Sequence, residues 1–383
     1  MVAANFLAVA ARMSLVTFLG IYFVQKAGIG IAVVGLAFLA ENLARGLLAP
    51  MFGALSDRVG RRTLLLASAL LTAAVLPCFL LVRDPLTLVL WSLALGVTGA
   101  INMPVSAALL LDLAPAERRQ SVLALNYTVM SVAYTLGVMP AGYVAEQGYG
   151  LLAAISSAGF ILVAVLYGVA LRGSLPLETR PAGSGMVRDT LAAFLDRRFA
   201  LFAAIAFVFP LSMGMVVTVS PLFGADRGLG EGYIGLVLGG NSILVAALAL
   251  PVAARIEPMG PFRMLGAAAA IVAMAHACYG FIPGAAAALL VGTVVFSFGE
   301  VVFSSAVPTA VARLAPEGRR GAYQGSWTLI ASLSMGSALV LSGLISKVGG
   351  WQGAWLTLAV LVALAATALF GLRQHFLNSV RRT

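Results

Sequence analysis

Charge is what this chain most conspicuously lacks. Charged residues make up 10% of its 383 residues, against roughly 25% in an ordinary soluble domain. A surface facing water must be largely polar, so a soluble globular protein is excluded. Cysteine is nearly absent. The two present, Cys78 and Cys278, each sit inside an apolar run, which excludes a disulfide framework and predicts small packing residues. Histidine also numbers two. The sequence offers no metal-ligand spacing, no phosphate-cradling loop and no nucleophile constellation, so neither enzymatic activity nor a cofactor is expected. GLGEGYIG at 228–235 reads as a loop feature, not a dinucleotide fingerprint. Acids are scarcer than bases, 14 against 24, for a net charge of +10. In a soluble chain that balance would suggest nucleic acid. Here the basic residues gather in particular loops, so no nucleic-acid partner is expected.

What is abundant is apolar sequence. Hydrophobic residues make up 61% of the chain, and the mean hydropathy is +1.02. The apolar runs are continuous and helix-length, which excludes a β-barrel, whose strands alternate apolar and polar in segments of about 10 residues. A helix needs about 20 apolar residues to cross the hydrocarbon core. The runs predict twelve spans, at 4–25, 32–54, 63–82, 86–112, 121–145, 151–171, 198–222, 233–254, 263–282, 285–312, 322–346 and 353–372. The fold class is therefore an all-α membrane protein. The first run starts almost at Met1 and lacks a basic leader and cleavage site, so it reads as a retained span. The longest gap holds Pro176, Pro181 and Gly183, then RDTLAAFLDRRF, which reads as an amphipathic surface helix. The domain reading is thus a six-span bundle at 1–171, a linker at 172–197, a second bundle at 198–372 and a tail at 373–383.

Basic residues orient the spans. Arg58, Arg61, Arg62, Arg118, Arg119, the arginines of the central loop, Arg255, Arg263, Arg313, Arg319, Arg320, Arg373, Arg381 and Arg382 all fall on the side of the termini. Only Lys26, Arg83, Arg227 and Lys347 fall opposite, while Arg12 and Arg45 lie inside spans. Both termini and the central loop are expected in the cytoplasm. An internal repeat supports two equivalent halves: shifted by about 200 residues, Gly28 falls on Gly228, Gly60 on Gly260 and Cys78 on Cys278, and LAPAERR at 113–119 meets LAPEGRR at 314–320.

The loop between the second and third spans reads GALSDRVGRR, Gly53 to Arg62. It resembles the signature loop of the major facilitator superfamily, G-x-L-x-D-R-x-G-R-R, at every fixed position and in the corresponding loop. With the repeat, the resemblance covers the whole chain. It implies two pseudo-symmetric six-helix bundles and transport by alternating access. Gly53 is expected to let two helices approach closely, Gly60 to permit the turn, and Arg58, Arg61 and Arg62 to hold the loop at the cytoplasmic face. The resemblance further implies that Asp57 caps the eleventh span, that an arginine pairs with Asp112, and that these contacts latch the cytoplasmic gate. A loop that only sets topology is the alternative. The second-half counterpart, ARIEPMGPFR, keeps Glu257 and Gly260 but lacks the paired arginines.

Ionisable groups inside a membrane are costly and by default functional. Arg12, Glu41, Arg45 and Glu300 lie near span centres. Glu41 and Arg45, at i,i+4, share a helix face and can pair. With Arg12 the cluster is formally +1, so it attracts an anion or simply fixes spans 1 and 2. Glu300 has no basic residue within a turn, and such a carboxylate tends to take up a proton; a structural hydrogen bond is the alternative. Gly299-Glu300 with Pro308 resembles span 10 of proton-coupled drug antiporters, and peptide symporters share a similar pair. In span 5, LGVMPAGYV keeps Gly137, Pro140 and Gly142 of the antiporter pattern in altered spacing. Asn102, Met103 and Pro104 line the cavity in such proteins. Pro210, Ser212 and Met213 mark a kink of span 7, Asn126, Asn241 and Ser242 read as packing polar groups, and His276 reads as structural.

The reading is a proton-coupled secondary transporter exporting lipophilic or amphiphilic small molecules. The runner-up is a symporter importing a small polar or anionic solute, and a membrane enzyme or receptor is the reading of a different class. No cofactor beyond the proton gradient is implied. The partners are a small-molecule substrate, protons and lipid, and the protein is expected to be a monomer of a bacterial cytoplasmic membrane.

Overall fold

The computed structural model describes residues 1–113, 115, 119–170, 193–256, 259–316 and 319–372. Everything regular in them is helical. In hydrocarbon a span must satisfy its own backbone hydrogen bonds, and a helix does so within one segment. Ten helices long and apolar enough to cross a membrane run in order: α1 Val2–Lys26, α2 Ile31–Val59, α3 Arg61–Leu81, α4 Pro85–Leu113, α5 Arg119–Gln147, α6 Tyr149–Ala170, α7 Arg197–Asp226, α8 Glu231–Ile256, α9 Pro261–Phe281 and α10 Ala285–Leu314. The remaining stretch, Arg320–Gly371, is helical at both ends but leaves helical geometry at Gly350 (φ 61°, ψ −168°). It is therefore two spans, α11 over 320–349 and α12 over 351–371, and the expected twelve are present. Outward-facing Leu36, Leu70, Leu90, Ile161 and Val360 are exposed, as side chains meeting lipid should be.

The turns follow the repeat. Gly28 and Gly228 have φ of 68° and 83°, and Gly60 and Gly260 have 94° and 74°. A side chain resists this left-handed backbone, so glycine recurs where the two halves make the same turn. Of the expected surface helix at 188–199, residues 188–192 lie outside the described residues; Ala193–Leu195 form a single 3-10 turn, and 197–199 already begin α7. Asp196, between the two, caps α7, its Oδ1 accepting from Arg198 N at 2.9 Å and Phe199 N at 3.4 Å. Its Oδ2 accepts from the Tyr323 hydroxyl at 2.8 Å, which ties the start of α7 to α11.

The chain divides into two compact units. One comprises Met1–Ala182 and Gly228–Ile243; the other comprises Gly183–Arg227 and Leu244–Thr383. The first half of α8 thus groups with α1–α6, although its sequence belongs to the second repeat. In the first unit α1 packs on α5 and α6, α2 on α4, and α3 on α4 and α6. An edge-to-face aromatic cluster of Tyr22, Phe23, Phe79 and Trp91 closes one end. In the second unit Gly280 meets Leu356 where α9 packs on α12, and Gly214 meets Met335 where α7 packs on α11. Span 7 is broken on either side of the kink expected at Pro210, Ser212 and Met213: α7 interrupts at Phe207 and widens over Met215–Val219. The Phe207 carbonyl accepts from Ser334 Oγ. His276 is fully buried and stacked on Trp355 at 5.6 Å between ring centroids, which suits a packing role. Cys78 is exposed, however, on the tighter last turns of α3 over Leu76–Leu81, so it fills no packed site.

Candidate functional site

The charged cluster assembles from three helices. Arg12 projects from α1, Glu41 and Arg45 from α2, and α4 supplies the floor. Two glycines one helical turn apart, Gly96 and Gly99, let α2 lie against α4 and the Arg12 guanidinium reach the surface of α4. A Cβ at Gly96 would stand 2.6 Å from the Glu41 carbonyl oxygen, and one at Gly99 would stand 3.3 Å from Arg45 Cδ and 3.4 Å from both Arg12 Nη atoms. The small-xxx-small spacing of Gly96 and Ala100 in an apolar run was the sequence signal for this approach, and sequence reasoning passed over it.

The i,i+4 spacing suggested Arg45 as the partner of Glu41. Geometry gives that place to Arg12, whose Nη2 donates directly to Glu41 Oε1. Arg45 Nη1 stays 3.9 Å from the same oxygen. Its Nη2 donates instead to Asn42 Oδ1 at 2.5 Å, and Asn42 Nδ2 donates to the Phe38 carbonyl at 2.8 Å. Side-chain exposure separates the three: 5% for Glu41, 12% for Arg12 and 30% for Arg45. The Arg12–Glu41 pair is closed off and Arg45 is not. Two guanidinium groups share one carboxylate, so the three side chains carry a formal charge of +1.

Asn102 of α4 joins a second polar chain in the same unit. Its Nδ2 donates to the Tyr167 hydroxyl at 3.4 Å, that hydroxyl donates to Asn5 Oδ1 at 3.3 Å, and Asn5 Nδ2 donates to Asn126 Oδ1 at 2.9 Å. The chain links α4, α6, α1 and α5. Asn5 and Tyr167 went unnoticed in the sequence because each looks like an isolated polar residue in its own span.

Glu300 lies in the other unit, half-buried midway along the 30-residue α10. The preceding Gly299 lets α10 close on α9, since a Cβ there would stand 2.5 Å from Val272 Cγ2. Asn241 is buried on α8.

The signature loop divides. Gly60 makes the expected turn between α2 and α3. Arg58 is exposed and Arg61 half-buried, while Arg62 Nη2 donates to the Gly168 carbonyl at 2.9 Å, tying α3 to the end of α6. The expectation for Gly53 is corrected: a Cβ there would meet nothing within 4 Å, so this glycine is not what a close helix contact requires. The side chains of Asp57 and Asp112 lie outside the described residues, as does Glu257, so the latch has no geometry to set beside it.

A close contact in the first unit was not anticipated. A Cβ at Gly142 of α5 would collide with the Glu231 carbonyl at the start of α8, and one at Gly235 would stand 2.9 Å from the Val138 carbonyl. Glu146 Oε1 accepts from Gly232 N at 2.8 Å, filling one of the open donors of the first turn of α8. Gly137 faces the other way, where a Cβ would stand 2.5 Å from the Ala10 carbonyl of α1.

The sequence profile of the Major Facilitator Superfamily matches residues 1–233 and 202–381. A Na(+), Li(+), K(+)/H(+) antiporter of Planococcus maritimus is 26% identical over 352 residues, covering 80% of this chain and 79% of the relative. A multidrug resistance protein, MdtH, of Aeromonas salmonicida is 24% identical over 340 residues, covering 85% and 80%. Among solved structures, the nucleoside transporter NupG superposes with a TM-score of 0.80 at 16% identity, over 97% of this chain and 97% of that one. At that identity the likeness speaks for the fold alone.

Proposed function

The chain belongs to the major facilitator superfamily, and on that premise we propose that it is a proton-coupled carrier exporting lipophilic or amphiphilic small molecules by alternating access. That it is a multi-pass membrane transporter, not an enzyme, follows from the family. The observation that carries the proton coupling is the half-buried carboxylate of Glu300 in the middle of an apolar helix. A charge in such surroundings is costly, and a carboxylate that exchanges a proton as the carrier changes state meets that cost with a use. Export draws support from the named activities of the relatives, a cation/proton antiporter and a multidrug resistance protein. In this reading both termini face the cytoplasm, the protein works as a monomer, Asn102 contacts substrate, and Asp57, Arg58, Arg61 and Asp112 latch the cytoplasmic gate.

The test is transport in proteoliposomes under an imposed pH gradient, with a fluorescent amphiphile. Glu300→Gln, which mimics the protonated acid, should abolish gradient-driven transport while leaving counterflow of the amphiphile. Undiminished gradient-driven transport by that variant would remove Glu300 from the coupling mechanism.

A further inference from the structure

We propose that the Arg12–Glu41–Arg45 cluster binds the anionic group of the transported solute, a carboxylate or sulfonate on an amphiphilic body, with Arg45 as the contacting residue. The inference rests on reading the chain as a carrier of small amphiphiles and narrows the substrate class.

Three observations converge on it. The first is stoichiometry. Fixing α1 against α2 needs one guanidinium for one carboxylate, and Arg12 with Glu41 supplies that pair in a closed contact. The second guanidinium adds a charge inside the spans that the pair does not need, at a cost in hydrocarbon.

The second is orientation. Arg45 has five N–H donors. Asn42 takes one at Nη2, and is itself held by its bond to Phe38. Nη1 remains 3.9 Å from Glu41 Oε1, beyond hydrogen-bond length. The guanidinium is therefore aimed, with donors to spare for a two-pronged contact with a carboxylate or sulfonate. Its side chain keeps 30% exposure against 12% for Arg12. A charge left open in a membrane span belongs on the side of water, not of lipid.

The third is space. Gly99 stands against the Arg12 guanidinium and the stem of Arg45: a Cβ there would come within 3.4 Å of both Arg12 Nη atoms and 3.3 Å of Arg45 Cδ. A larger residue there would push both arginine side chains out of this arrangement. A cationic solute at this place is repelled by the cluster.

The experiment compares three probes of one shape on purified full-length protein: 2-naphthoate, 2-naphthamide and 2-naphthylmethylammonium. Affinity is read by calorimetry and by the shift of thermal unfolding. Naphthoate should bind about tenfold or more tightly than the amide, the value of one charge-assisted hydrogen bond, and the ammonium should bind weakest. Arg45→Gln should reduce the preference of naphthoate over amide to about twofold or less, the loss of that same bond. Arg45→Lys, which keeps the charge but not the fork, should fall between. Should Arg45→Gln fail to fold, Gly99→Val tests the same site with all charges in place, and it too should weaken naphthoate selectively. Naphthoate should stabilise Glu41→Gln by more than it stabilises the wild type, because it replaces the missing carboxylate beside Arg12. Equal binding of the three probes, no binding of naphthoate, or a preference that survives both Arg45→Gln and Gly99→Val would overturn the proposal. Proton-driven transport of a neutral dye without naphthoate preference would leave the export reading standing and remove the anion site. Naphthoate preference without proton-driven transport would do the reverse.

Discussion

Glu41 has two arginines within reach but is bonded to only one of them, and that asymmetry is measurable. Removing Glu41 leaves Arg12 buried without its carboxylate, and breaking a buried pair in this way costs about 3–5 kcal/mol. Glu41→Gln should therefore destabilise the purified protein strongly. The double change with Arg12→Gln should recover more than half of the loss, and the double change with Arg45→Gln little. A double-mutant cycle on unfolding free energies decides it, and equal recovery by both doubles would contradict Arg12 as the main partner. A second residue-scale expectation concerns Asp84, which starts α4. Its carboxylate accepts from Leu86 N, Thr87 N and the Thr87 hydroxyl at 2.9, 3.0 and 3.0 Å. The bonds from Thr87 foremost hold its pKa below the usual carboxylate value. A depressed folded pKa means that the contribution is complete above the unfolded value of about 3.9 and is lost as pH falls through the lower folded one. The difference in unfolding midpoint between wild type and Asp84→Ala should hold steady from neutral pH to about 5 and shrink below about 4. A difference independent of pH would show that the charge is not what caps α4.

At the scale of helices, glycines divide by what lies opposite them. Gly142 and Gly53 are both glycines in transmembrane helices, and the sequence suggested close packing for Gly53. The structure reverses that emphasis. Gly142 has the Glu231 carbonyl of α8 where a Cβ would go, and Gly53 has open space. Gly142→Ala should overpack the α5–α8 seam and cost about 1–3 kcal/mol. Gly53→Ala should be neutral or stabilising by about 0.5–1 kcal/mol, since glycine weakens a helix interior. Thermal unfolding of the two variants side by side checks both, and a Gly53 variant as damaged as the Gly142 variant would contradict the assignment. The same contrast explains why the cluster and the seam were only partly legible in the sequence. Spacing along one helix is visible as a pattern, so Glu41 and Arg45 stood out together. Which helix faces Gly96, Gly99 or Gly142 depends on contacts between residues far apart in the chain. Arg12 and Glu41 are separated by 29 positions and the ends of a turn, and Asn102, Tyr167, Asn5 and Asn126 come from four helices.

For the whole molecule, the lopsided distribution of basic residues predicts orientation. Single cysteines introduced near Ser184 and near the C-terminus, in a background lacking Cys78 and Cys278, should resist membrane-impermeant thiol reagents in intact cells and react after permeabilisation. A cysteine replacing Arg83, on the other side, should react in intact cells. Ready labelling of the first two from outside would invert the topology. It would also place the arginine-rich loop 53–62 on the outer face, against the charge bias that orients membrane proteins.

The sequence alone determined the number of spans, the all-helical class, the repeat and its turn glycines, and the family through its loop motif. The physical reason is that hydrocarbon thickness fixes a run length, unsatisfied backbone groups forbid anything but helix in such runs, and left-handed turns demand glycine; each is a local constraint written in consecutive residues. Only the tertiary structure decided that Arg12, not Arg45, neutralises Glu41, that Gly99 stands against both arginine side chains, that the first half of α8 packs with α5, and that a Cβ at Gly53 would meet nothing. Those outcomes depend on how helices rotate and cross. Apolar residues surround each helix on all sides in a membrane protein, so no polar stripe in the sequence records which face meets lipid and which meets a neighbour.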